Sequence, residues 1–215
     1  MKKNRLETFY IAEIFIYVMT VIFSLVFNFM NHDMNQFMMT FVAIITPFLV
    51  PLGFKLIGWK MTSEVKIANI TFIYFASLVG SGLGGYNYLG FDKVLHFTSG
   101  IFGIEFAIVL FHMLVGHLEV DNPKEYKLYL IFINAVNLAI AVLWEFYEFC
   151  MLIFFNNDCI NHYTTGVFDS ITDMMCAFFA GLIITFFVHK YQQNKKENFF
   201  ISLYKNLYKE NSSHQ

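Results

Sequence analysis

The sequence has few charged residues, few prolines and few cysteines. Only 14% of its 215 residues are charged, whereas an ordinary soluble domain carries about a quarter, so a soluble globular domain is excluded. With three prolines, long stretches run uninterrupted, which favours transmembrane helices over the short alternating strands of a membrane barrel. Cys150, Cys159 and Cys176 are odd in number and lack metal-ligand spacing, so they indicate neither a disulfide framework nor a zinc site.

What the sequence does contain is apolar. Hydrophobic residues make up 57% of the chain, and the mean hydropathy is +0.55. A helix needs about 20 apolar residues to cross a bilayer. Runs of that length occur at 9–30, 36–57, 67–86, 94–115, 128–155 and 170–190. The sequence therefore predicts an all-α, polytopic membrane helical bundle of six transmembrane helices, with residues 1–190 forming one domain and residues 191–215 a tail.

Basic residues in the connections predict the orientation of this bundle. They collect before the first run, between the second and third, between the fourth and fifth, and after the sixth: Lys2, Lys3, Arg5, Lys55, Lys60, Lys66, Lys124, Lys127, Lys190, Lys195, Lys196, Lys205 and Lys209. In the connections on the opposite side, Lys93 is the only one. Because basic connections stay in the cytoplasm, both termini are predicted to be cytoplasmic.

The tail permits two interpretations. Aromatic and leucine side chains recur in it at helical spacing, with Lys205 and Lys209 between them. This pattern is typical of an amphipathic helix lying on an anionic inner leaflet. A disordered, frayed tail is the alternative.

Three pairs of ionisable residues stand out in the apolar second half of the chain. Each pair has a spacing that places both members on one helix face: Asp92 and His96, Glu145 and Glu148, and Asp169 and Asp173. An ionisable group inside the membrane costs at least about 2.5 kcal/mol, so these residues are expected to have a specific structural or functional role. With the predicted orientation, all three pairs lie at the extracytoplasmic end and converge on one polar pocket.

The chemistry of this pocket follows from its charges. Glu145 and Glu148 on adjacent turns would repel each other, so the site is expected to hold either a cation or shared protons. A histidine with several carboxylates suits Zn, Mn or Fe, and Mg is also compatible with the oxygen ligands. The expected metal ligands are His96, Glu148 and Asp173, with Glu145 as the catalytic general base.

The two remaining aspartates have a plainer interpretation. Asp92 and Asp169 each begin a helix, so each either caps free backbone N–H groups or orients a ligand by a hydrogen bond, as Asp92 would do for His96. Glu145 and Glu148 cap no helix, which favours a functional role for that pair. Glu105 lies nearly opposite the His96 face and is expected to belong to another contact.

The residues of these pairs also carry a resemblance. The segments FDKVLHFTSG (91–100), WEFYE (144–148) and FDSITDM (168–174) resemble the DKxxHFxxG, WExxE and DTxxDM patterns of the YjdF-like bacterial inner-membrane proteins. That family is similar in turn to the VanZ-like membrane proteins. The resemblance implies a multi-pass protein of a bacterial cytoplasmic (inner) membrane.

Three functions remain open at the sequence level. The leading hypothesis is a metal-dependent enzyme acting on an envelope lipid or lipid-linked substrate, with membrane lipid around it and no nucleic acid as partner. The alternatives are a proton- or cation-coupled transporter and a non-catalytic envelope partner protein. A polar stripe continuing inward through Asn137 and Asn134 would favour transport, and a pocket closed below Glu145 would favour catalysis.

Overall fold

The computed structural model describes residues 2–212, with side chains from Arg5 to Ser212. Every regular element in this part of the chain is helical. Eight α-helices follow one another: α1 (Lys2–Met30), α2 (Met34–Ile45), α3 (Leu49–Leu56), α4 (Ser63–Ile73), α5 (Phe91–Val115), α6 (Pro123–Phe155), α7 (Val167–Asn194) and α8 (Phe199–Ser212). The predicted all-α class is confirmed.

Among the described residues, six helical stretches are long and apolar enough to cross a membrane. They are Arg5–Met30, Met34–Leu56, Ser63–Gly82, Phe91–Val115, Pro123–Phe155 and Val167–Asn194. Each overlaps one of the six predicted spans, so the multi-pass architecture is confirmed. The second stretch tightens into a 3₁₀ turn at Thr46–Phe48, where Pro47 has no N–H to give to the ladder. The third continues from α4 into a π-helical segment, Tyr74–Gly82.

Contacts among the helices divide the chain into two compact units, Met1–Leu95 and His96–Gln215. The boundary falls inside α5, so Asp92 and His96 belong to different units although they share one helix.

In the first unit, small polar side chains hold the end of the π-helical segment. The carbonyl oxygen of Gly82 accepts hydrogen bonds from Asn28 Nδ2 at 2.7 Å and from Ser24 Oγ at 3.0 Å. Ser24 and Thr40 hydroxyls also bond to each other at 2.7 Å. All three side chains are buried. The irregular end of the third span is thus tied to α1 and α2 by groups that satisfy its backbone, as the membrane interior requires.

In the second unit, α5, α6 and α7 approach closely at small residues. A Cβ atom at Gly100 of α5 would overlap the backbone of Ala177 on α7. Asn137 of α6 contacts the glycine positions Gly103 and Gly181 on the two neighbouring helices. Small residues at helix crossings allow this approach. The crossing fixes the positions of the side chains that lie one to two turns away from it on each helix.

The tail forms helix α8, which packs on the second unit. Its buried residues are the apolar ones that recur at helical spacing, Ile201, Tyr204, Leu207 and Tyr208, together with Asn211. The Tyr204 ring stacks on His112 of α5 with centroids 5.6 Å apart. The apolar face of α8 therefore covers protein at the end of the bundle where α5 ends and α6 begins.

Candidate functional site

His96 and Asp173 form the centre of the candidate site in the second unit. His96 lies in the second turn of α5, and Asp173 lies in α7, one turn after Asp169. His96 Nε2 is 3.7 Å from Asp173 Oδ1, and both side chains are buried. The Gly100–Ala177 crossing, one turn further along each helix, holds these two side chains at the same level.

Helix α6 adds both of its glutamates to His96. One ligand atom from each of His96, Glu145 and Glu148 lies within 4.8 Å of the other two. Glu145 is buried. Glu148 is half-buried and accepts a hydrogen bond from Trp144 Nε1 at 2.8 Å. This bond spans one helical turn and holds Glu148 in place.

Asp169 anchors the connection between α6 and α7. Its Oδ2 accepts a hydrogen bond from Asn161 Nδ2 at 2.8 Å. The residue at the N-cap of α7 is Gly166, and Asp169 lies in the first helical turn, where a carboxylate interacts favourably with the helix dipole. Asp169 is therefore a support for residues 156–166, and the side chain that enters the cluster from α7 is Asp173.

Asp92 lies in the first turn of α5, one turn before His96. Its Oδ2 is 3.4 Å from Lys93 Nζ, and both side chains are partly exposed. Asp92 belongs to the first unit, so the core of the site in the second unit is made by His96, Glu145, Glu148 and Asp173.

The charges at this core call for compensation. Three carboxylates and one imidazole meet there. Carboxylates so close in a low-dielectric environment cannot all stay ionised without a cation. Zinc ligands at about 2.1 Å from the ion stand roughly 3.4 Å apart, so small rotamer changes would bring three atoms now within 4.8 Å to ligand spacing.

Asn137 closes the packing two turns below Glu145 on α6. It is fully buried, and its Nδ2 donates a hydrogen bond to the carbonyl oxygen of Ala177 at 3.0 Å. Deeper along α6, Asn134 exchanges hydrogen bonds with Thr185 of α7. Both polar side chains on the α6 stripe therefore join helices to one another.

Three residues at the opposite end of the second unit lie outside the site predicted from the sequence: His112, Tyr129 and Tyr204. Glu105 is predicted from the sequence to make a separate contact. Glu105 and His112 are seven residues apart, which places them two turns apart on one face of α5. That spacing was the signal available in the sequence.

Comparisons with curated proteins and with solved structures find no match. A family model does match, over residues 12–194, and its family is described as predicted membrane protein (DUF2238). The matched region contains all six membrane-spanning stretches apart from the first few residues of α1, and it contains every residue of the candidate site. The chain belongs to this family of predicted membrane proteins.

Proposed function

We propose that this chain is a metal-dependent membrane enzyme that acts on an envelope lipid or a lipid-linked substrate. The observation that carries the proposal is the meeting of one histidine and two glutamates within 4.8 Å, with a third carboxylate 3.7 Å from the same histidine. Mixed imidazole and carboxylate ligands suit a divalent ion such as Zn, Mn or Fe, and Mg through the oxygens.

Within this proposal, each residue has a chemical task. His96, Glu148 and Asp173 hold the ion, and Glu145 is the general base. When bound, such an ion polarises a phosphoryl or carbonyl oxygen and lowers the pKa of a bound water. Glu145 is buried beside His96 and Glu148, so it is placed to take the proton from a water in the cluster. Trp144 positions Glu148 through its indole N–H.

The surroundings of the cluster support a lipid substrate. Trp144 and Tyr147 flank the two glutamates on α6, and both are half exposed on the outside of the bundle. Tryptophan and tyrosine prefer the membrane–water interface, where lipid headgroups lie. A headgroup or a lipid-linked phosphate at this level could reach the cluster without leaving the membrane.

The closed packing below the cluster supports catalysis over coupled transport. Asn137 is fully buried against Gly103 and Gly181, so it fills the space between the three helices below Glu145. If experiments contradict the enzymatic role, the alternatives are a proton- or cation-coupled transporter and a non-catalytic envelope partner. We also propose that the chain is YjdF-like and more distantly VanZ-like, on its three motifs, and lies in a bacterial inner membrane.

The first test measures metal binding by thermal unfolding of the purified full-length protein in detergent. An ion at 100 times its dissociation constant adds about 2.7 kcal/mol, which corresponds to roughly 5–10 °C in Tm for a chain of this size. We expect the parent Tm to rise with Zn²⁺ or Mn²⁺ and to fall with a chelator. Glu148→Gln, which removes a ligand, should lose both responses, and Glu145→Gln, which removes the base and no ligand, should keep them. Glu119→Gln, an exposed control, should keep them as well.

The second test measures turnover. The parent and Glu145→Gln are incubated with a bacterial lipid extract with and without the metal, and mass spectrometry follows which lipids are consumed. We expect metal-dependent consumption by the parent alone. Shared protons, and not an ion, would be indicated by two results together: no variant responds to a chelator, and the parent has a pH-dependent Tm that Glu145→Gln and Glu148→Gln lose. Metal binding without any lipid consumption would contradict the enzymatic role.

A further inference from the structure

Glu105 is a buried carboxyl group far from the His96 cluster. It lies nine residues after His96 on α5, which places it on the opposite face of that helix and more than two turns away. Its side chain is only 6% exposed. Among the residues that the structure describes, neither of its oxygens has a hydrogen-bond partner. A buried polar group in this state needs a functional or hydration-based explanation.

Two further polar atoms in the same state lie near it. The Tyr129 hydroxyl on α6 and His112 Nε2 on α5 are buried and have no hydrogen-bond partner within the described part of the chain. The His112 and Tyr129 rings are 5.2 Å apart between centroids. Tyr129 also lies within electrostatic reach of Glu105. An acid, a hydroxyl and an imidazole therefore gather inside one end of the second unit.

Helix α8 covers this group of residues. The Tyr204 ring stacks on His112. The pKa of the Tyr204 hydroxyl is raised, first by burial and then by the nearby Tyr191, Glu105 and Glu197, so Tyr204 also lies close to Glu105. Other titratable groups also lie near this end. Lys205 of α8 and His117 interact electrostatically with His112, and the Tyr208 ring lies 6.1 Å from the His112 ring. The Tyr126 ring lies 6.4 Å from that of Tyr129 and its hydroxyl bonds to His189 of α7, while Lys205 bonds to Glu197 and Tyr191.

The hydrogen bond at the other side of the His112 ring fixes its tautomer. His112 Nδ1 is 2.9 Å from the carbonyl oxygen of His117. A carbonyl only accepts, so Nδ1 carries the hydrogen and Nε2 of the neutral ring carries a lone pair. His112 Nε2, which is buried, is thus a proton acceptor. His117 itself is exposed, with its Nε2 3.1 Å from Glu125.

We propose that Glu105, Tyr129 and His112 form a second, proton-binding site, in which Glu105 holds a proton that exchanges with the surface through Tyr129 and His112. The proton removes the negative charge that would otherwise be buried without a partner. The three groups make no direct hydrogen bond to one another, so the proposed exchange passes through intervening water. The Glu105 O–H bond breaks, the Tyr129 hydroxyl accepts a proton and gives up its own, and an N–H bond forms at His112 Nε2. His112 releases a proton to water beside His117, and a proton taken up there returns by the same steps, so that Glu105 is neutral again. The site is independent of the metal proposed at His96.

Infrared spectroscopy of the full-length protein in lipid vesicles tests the first part of this proposal. A protonated carboxyl group has a C=O band separate from that of a carboxylate. At pH 7 we expect this band in the parent and a smaller band in Glu105→Gln. Glu125→Gln, which changes an acid beside the exposed His117, should leave it unchanged. Glu105→Asp, which keeps the acid, should shift the band. A band identical in the parent, the glutamine variant and the aspartate variant would overturn the proposal.

Deuterium exchange tests the route. After transfer from H₂O to D₂O, the Glu105 band moves as its proton is replaced, and the rate of that change reports access to water. Tyr129→Phe and His112→Phe remove the hydroxyl and the accepting nitrogen, so each should slow the exchange several-fold. Asn134→Ala, a control on the other polar stripe of α6, should not. Exchange as fast in both phenylalanine variants as in the parent would contradict the route.

Discussion

Asn137 Nδ2 donates a hydrogen bond to the carbonyl oxygen of Ala177, 3.0 Å away, and joins α6 to α7 at the point where α5 crosses α7. The three helices that carry His96, Glu145 and Asp173 are thus locked together below the cluster. Small residues make this possible, because Gly103 and Gly181 leave room for the amide. The geometry of the site therefore depends on contacts that lie one to two turns away from it.

The first prediction concerns the helix crossing. Gly100→Ala places a Cβ atom against the backbone of Ala177, which cannot move aside, so α5 and α7 must separate. Overpacking of this kind costs about 1–3 kcal/mol, and thermal unfolding in detergent should show a lower Tm. Gly53→Ala in α3 is the matched control, because nothing lies within 4 Å of its Cβ position. Equal Tm values for the two variants would show that the crossing tolerates a methyl group.

The second prediction concerns the amide itself. Asn137→Asp keeps the shape of the side chain but replaces the donor toward Ala177 with an oxygen. Two acceptors would then face each other in a buried position, which costs about 1–3 kcal/mol. Chemical or thermal unfolding should show this loss. Asn122→Asp is the control, since Asn122 caps α6 through its side-chain oxygen and aspartate caps equally well.

The third prediction concerns the pH dependence of α8 docking. A hydrogen bond from Lys205 lowers the pKa of the Glu197 carboxyl below its ordinary 4.5. A lowered pKa in the folded state stabilises the protein above the ordinary value, and this contribution disappears as the pH falls through the folded-state pKa. Glu197 is half exposed, so the contribution is about 0.2–1 kcal/mol. Parent and Glu197→Gln should differ slightly in Tm at pH 6, and the difference should shrink as the pH falls below 4.5 and the carboxyl becomes protonated. A difference that does not shrink with falling pH would contradict this origin.

The fourth prediction concerns topology. The basic connections predict that residue 35 faces outward and residue 62 faces the cytoplasm. In a background with Cys150, Cys159 and Cys176 replaced by alanine, a membrane-impermeant thiol reagent should label Asn35→Cys in intact cells. Thr62→Cys should be labelled only after permeabilisation. The reverse pattern would place the His96 cluster on the cytoplasmic side.

The helical spans could be predicted from the sequence because they depend on local properties. About 20 consecutive apolar residues have one stable conformation in a bilayer, since a helix satisfies every backbone group within the segment. The irregular parts were not predictable in this way. The π-helical segment Tyr74–Gly82 ends at a carbonyl, that of Gly82, to which Ser24 and Asn28 donate hydrogen bonds from more than 50 residues away in the chain. The packing of α8 likewise depends on His112, which lies far from Tyr204 in the sequence.

The candidate site shows the same division. Spacing of three or four residues predicted that each of three pairs shares a helix face: Asp92 and His96, Glu145 and Glu148, and Asp169 and Asp173. The metal-ligand and catalytic roles of these residues stay predictions. The role of Asn161 as a hydrogen-bond donor to Asp169 had no signal in the sequence, because it arises from a turn in the α6–α7 connection.

By itself, the sequence determined the all-helical, multi-pass class and the face of each helix on which the polar residues lie, because hydropathy and helical periodicity are properties of single segments. The tertiary structure decided which faces meet. It placed Glu145 and Glu148 beside His96, brought Asp173 to the same histidine, and gathered Glu105, Tyr129 and His112 at the other end. Helix contacts in a membrane depend on close packing at a few small residues, and periodicity fixes the direction of a side chain without fixing its partner.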